Sequence, residues 1–122
     1  MPKATSKPLA MVAIEFPPGF TEITFPIIKA LIDDVRAAHT AYLPPKTWLL
    51  CFKPAAAARA EGVVARVREL RARDARFGAI GAAARTGEVV YETDFWGRVR
   101  SEPMGDEANA VLRAAAADAG DG

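Results

Sequence analysis

The sequence has one cysteine and one histidine, Cys51 and His39. A lone thiol closes no internal disulfide, and the two residues are too few for a Cys/His metal site or a serine–histidine triad. Cys51 lies in the apolar run WLLCF and reads as a buried core thiol, which suits a reducing, cytoplasmic setting. Net charge is lacking too: 16 basic against 15 acidic side chains leave +1, so no strong field draws the chain to nucleic acid or to a membrane. No apolar run approaches the roughly 20 residues of a membrane span, and no signal-like segment follows Met1-Pro2-Lys3. P-loops, dinucleotide fingerprints and internal repeats are absent. What is present is an ordinary globular balance, 51% apolar and 25% charged, in 122 residues. That suffices for one domain with a real core.

In chain order, residues 1–8 read as a flexible arm, 9–118 as a single domain and 119–122 as a disordered tail. Leu9 to Phe16 is a near-continuous apolar run of strand length, expected to be buried on both faces and ended by Pro17-Pro18-Gly19. A helix starts between Thr21 and Pro26, with Ile27, Ile28, Leu31, Ile32 and Val35 at helical period. Pro44-Pro45 stops whatever continues past His39, and Thr47 to Phe52 forms a second interior strand. After Pro54 comes the clearest helix, with Ala60, Val63, Val67 and Leu70 as its apolar stripe and Gly78 at its end. Two strands about a Thr86-Gly87 bend follow, then a helix from about Asp106. The order strand, helix, strand, helix, strand, strand, helix predicts an α/β (α+β) fold. A ferredoxin-like mixed sheet with parallel neighbours and helices on one face fits it.

The chemistry-bearing stretch is Ile80 to Arg113. Asn109 and Arg113, four residues apart, share a face of the last helix. An amide and a guanidinium fork at that spacing suit a ribose and a phosphate. The same residues also suit a local cap and a solvated cation. Arginines from Arg59 to Arg76 crowd one helix, but Glu61, Glu69 and Asp74 interleave them, which favours a solvated face over a nucleic-acid stripe. Phe95-Trp96 beside Gly97 suits core packing or the cover of a partner surface.

TGEVV at Thr86–Val90 followed by GDEANAVLR at Gly105–Arg113 resembles a segment of class III adenylate/guanylate cyclases. GFTE at Gly19–Glu22 and Lys46-Thr47 before a hydrophobic run are similar to two further blocks of that family, in the right order. The resemblance implies a cyclase-homology domain, degenerate and shortened. It gives Asn109 and Arg113 the ribose and phosphate contacts, and Lys46 and Glu102 the purine contacts. It also implies two aspartates that hold divalent metals, and both are missing here. Phe16 stands in place of one, with Glu15 expected on the opposite face. The second belongs to a turn between paired strands, and here Lys46-Thr47 runs straight into Trp48, so that hairpin reads as deleted. No metal would bind independently; Mg or Mn would enter only if a partner supplied the ligands. The expected partners are therefore a second copy or a related domain in a dimer, and a purine nucleotide. The expected role is a regulatory or dimerisation module, signalling rather than catalytic when alone. The alternative is a small ferredoxin-like ligand-binding or assembly module with no nucleotide site.

Overall fold

The computed structural model describes residues 3–16, 25–43, 47–93 and 105–120. In order these form β1 (Lys3–Glu15), α1 (Phe25–Val35), β2 (His39–Leu43), β3 (Thr47–Phe52), α2 (Ala57–Arg73), β4 (Gly81–Thr93) and α3 (Asp106–Gly120), with short 3-10 turns at Pro54–Ala56 and Ala75–Phe77. The strands form a sheet in the order β2-β3-β1-β4, every neighbouring pair antiparallel.

This is the ferredoxin-like plan of two interleaved βαβ units. The α/β fold class expected from the sequence is thus observed, but the parallel neighbours are not. Strands β1 and β2, joined through α1, do run parallel, yet β3 lies between them. Strands β3 and β4, joined through α2, are likewise separated by β1. Each crossover skips one place, which the other unit fills in the opposite direction.

The helices also divide between the two faces, which corrects the expectation of a single helical face. Both crossover helices cover one side, where Val12, Ile14, Leu50 and Phe52 pack with Ile28, Ile32, Val63, Val67 and Leu70. Helix α3 covers the other, where Met11, Ala13, Leu49, Cys51 and Val89 meet Ala108, Val111 and Ala115. The cause lies in β1. Its unbroken apolar run makes both faces of the central strand hydrophobic, so each needs a layer of its own. Burial of Met11, Val12, Ala13 and Ile14 in succession at 0% exposure shows that both faces are covered.

Four further boundaries differ from the sequence reading. Residues 3–8 are not a loose arm: they extend β1 and pair with Glu88–Thr93, from Lys3↔Thr93 to Pro8↔Glu88. Strand β4 runs unbroken through Thr86-Gly87, where two strands about a bend were expected. The stretch before Pro44-Pro45 is a strand, and β2 pairs with β3 from Leu43↔Thr47 to His39↔Cys51. The hairpin that read as deleted is therefore present. Helix α3 reaches Gly120, so Ala119 and Gly120 are helical rather than a tail.

Candidate functional site on the third helix

Helix α3 begins where Gly105 takes a φ of +112°, a left-handed turn that glycine enters at little cost. Asp106 and Glu107 occupy its first turn, where carboxylates complement the positive end of the helix dipole. The Asn109 backbone N–H donates to the Gly105 carbonyl at 3.0 Å, so the ladder is already running when it reaches the first candidate residue.

The helix lies against β4 and is held at both ends. Near its start the Glu107 side chain rests on Gly87: a Cβ built there would sit 2.5 Å from the Glu107 Cγ and 2.8 Å from its Cδ. From that seat Glu107 accepts a hydrogen bond from the Arg85 guanidinium in an ion pair. The bond holds the Glu107 carboxyl below its ordinary range and raises Arg85 in turn. Near its end the helix backbone closes on Gly81, where a Cβ would lie 2.3 Å from the Ala115 carbonyl oxygen. There the Asp118 carboxylate accepts from the Ala82 backbone N–H at 3.0 Å and from Arg71 Nη1 at 3.1 Å. Arg71 comes from α2 on the opposite face and also donates to the Ile80 carbonyl at 3.1 Å.

Between these anchors Asn109 and Arg113 are both exposed. At 100° per residue they stand roughly 100° and 140° around the axis from buried Ala108, so they share one flank turned away from the sheet. Lys46 and Glu102 lie outside the described residues, as do GFTE and Phe95-Trp96. The structure thus brings together one pair of the four candidates.

The positions where cyclases carry metal aspartates do not fit a divalent ion. Phe16 is 1% exposed and belongs to the core with Ile14 and Phe52. Glu15 faces the other way, as expected, and its carboxylate accepts a hydrogen bond from Thr47 Oγ1 at 3.1 Å. The β2–β3 hairpin exists, but HTAYLPPKTWLLCF from His39 to Phe52 contains no carboxylate. Among the described residues no cluster of three or more His, Cys, Asp or Glu side chains is placed to hold a metal. His39 and Cys51 are in register on β2 and β3. Burial pushes the Cys51 thiol up to about 11, which keeps it protonated and a poor nucleophile, and burial lowers the His39 imidazole.

Sequence reasoning missed Arg85, Glu107 and Asp118. Arg85 directly precedes the first block that carries the cyclase resemblance and Glu107 lies inside the second, but 22 residues separate them, and only the antiparallel lie of α3 on β4 makes them neighbours.

No family profile and no curated protein matches the sequence. Among solved structures, a bacterial light-regulated adenylyl cyclase is similar over 96% of this chain, with a TM-score of 0.55 and 14% identity. The similarity covers 41% of that protein, so this chain spans less than half its length. At that identity the likeness is one of fold: the domain has a cyclase-like α/β architecture. No helix among the described residues is long and apolar enough to cross a membrane.

Proposed function

We propose that this chain is a degenerate class III nucleotide cyclase-like domain that acts as a regulatory or dimerisation module, with residual purine nucleotide binding through Asn109 and Arg113. The observation that carries the reading is the contrast between two halves of one site. The amide and the guanidinium share an exposed flank of a firmly anchored helix in a cyclase-like fold, while a buried phenylalanine and a carboxylate-free hairpin stand where the metal ligands belong.

An amide can hold a ribose hydroxyl, and a guanidinium can hold a phosphate by two parallel hydrogen bonds. Without carboxylates to fix divalent ions, the two-metal route to in-line phosphoryl displacement is closed to the chain on its own. Turnover would require a related domain that brings the ligands for Mg or Mn, and the natural assembly is a homodimer or a heterodimer with such a domain. Lys46 and Glu102 complete the proposal as purine contacts.

Titration with ATP and with GTP tests it. Binding in the micromolar to millimolar range that falls by about tenfold in Asn109→Ala or Arg113→Ala, the cost of a lost hydrogen bond, supports the reading. No binding at millimolar nucleotide sinks it and leaves the ferredoxin-like assembly module.

A further inference from the structure

We propose that Arg85 and Glu107, seated on Gly87, are positioning residues that set the rotation of α3 about its axis and so aim the flank carrying Asn109 and Arg113. The consequence for nucleotide rests on the functional reading above; the effect on the helix does not.

The first observation is the glycine. Gly87 sits inside an unbroken strand, where glycine costs stability because it gives up backbone freedom and packs nothing. Its backbone is not in the left-handed region, and no turn occurs there. What needs glycine is the space above it, which the Glu107 Cγ, Cδ and Oε2 fill at 2.5–2.8 Å from where a Cβ would stand. The strand gives up a side chain so that a carboxylate can lie on its backbone.

The second observation is the nature of the helix–sheet contact. Much of what α3 turns toward the sheet is small, Ala108 and Ala115 against Gly81 and Ala83. Small surfaces let backbones approach closely but interlock less than branched side chains do, so they resist rolling weakly. A directional bond at the first turn supplies what that packing lacks. Glu107 and Asn109 lie roughly 200° apart around the axis, on opposite flanks, so holding one fixes the heading of the other. The bond favours the charged form of each partner, which lowers Glu107 and raises Arg85.

The test is a double-mutant cycle. The three atoms nearest a methyl group at residue 87 all belong to the flexible Glu107 side chain, so Gly87→Ala should displace the carboxylate and leave the fold intact. Binding of methylanthraniloyl-ATP is measured in wild type, Gly87→Ala, Glu107→Ala and the double variant, with thermal unfolding alongside. Each single change is expected to weaken binding by about 3- to 10-fold, and the double to be no worse than either. Unchanged binding in the single variants, or multiplied losses in the double, overturns the proposal. So does a loss of affinity that merely tracks a loss of folded protein. Nitroxide pairs at Thr40→Cys and Ala114→Cys, with Cys51 left buried, read the helix without nucleotide. A distance distribution that broadens or shifts in Gly87→Ala and in Glu107→Ala upholds the rotational claim, and an unchanged one overturns it. If wild type binds no nucleotide, or Asn109→Ala and Arg113→Ala bind normally, the functional reading falls and the label pair alone decides the positioning claim.

Discussion

The two faces of the sheet are built on different plans. Under α1 and α2 the core is large and branched or aromatic: Ile14, Phe16, Phe52, Phe77 and Ile80 are all buried there. Under α3 it is mostly small or unbranched: Ala13, Cys51, Met11, Ala108 and Ala115, with Gly81 and Gly87 where helix and strand touch. The first face gains stability from buried area. The second gives up area for closeness, and close backbones are then registered by a few polar contacts, Arg85 with Glu107 and Arg71 with Asp118. One face holds the domain together; the other holds a helix in place.

Substitutions on each face would break or sharpen that contrast. The largest effect is expected from Phe52→Ala, fully buried on the first face and beneath the Arg59 guanidinium at 5.8 Å. Urea unfolding should show a loss of about 3–5 kcal/mol. Next is Gly81→Ala, whose methyl would meet helix backbone rather than a yielding side chain, 2.3 Å from the Ala115 oxygen and 2.4 Å from the Ala119 nitrogen. It should cost about 1–3 kcal/mol by the same measurement, since α3 must lift away. A smaller loss would mean that the helix is less closely seated than its glycines indicate.

Asp118→Ala comes third, leaving the Ala82 N–H and one bond of Arg71 without their acceptor, at about 1–2 kcal/mol. The smallest effect is a gain. Gly62 in α2 faces nothing within 4 Å, so Gly62→Ala should stabilise by about 0.5–1 kcal/mol through helix propensity alone. Acid offers one more contrast. Glu107 has a depressed pKa, so its contribution is present above the ordinary carboxylate range and is lost as pH falls through its folded value. Hydrogen-exchange protection at the start of α3, taken relative to the intrinsic rates at each pH, should therefore fall in acid more than in α2, and that difference should vanish in Glu107→Ala.

How far the sequence could be read follows the same division. Helix α2 and the apolar strand Leu9–Phe16 were plain, because periodic burial of Val63, Val67 and Leu70 and an unbroken run in β1 each leave an unambiguous pattern. Strand β2 was not: His39–Leu43 is a five-residue outer strand in which Ala41 is buried and Thr40 exposed, too short for alternation to outweigh the helix before it. Thr86-Gly87 was read as a bend because glycine in a strand usually marks one, whereas here it makes room for a side chain from elsewhere. Asn109 and Arg113 were legible as a pair, since four residues on a helix guarantee a shared face. Arg85 with Glu107 was not, because the contact depends on tertiary approach. The expected deletion of the hairpin is not observed: β2 and β3 pair, and the segment from His39 to Phe52 carries no carboxylate.

The bond from Ala82 to Asp118 also bears on how copies of this domain can meet. An outermost strand exposes backbone donors and acceptors that invite another chain to continue the ladder, the usual beginning of edge-to-edge aggregation. At Ala82 a helix side chain already occupies that valence, and the Ile80 carbonyl just before it is taken by Arg71. The start of β4 is therefore less open to an incoming strand than the rest of that edge.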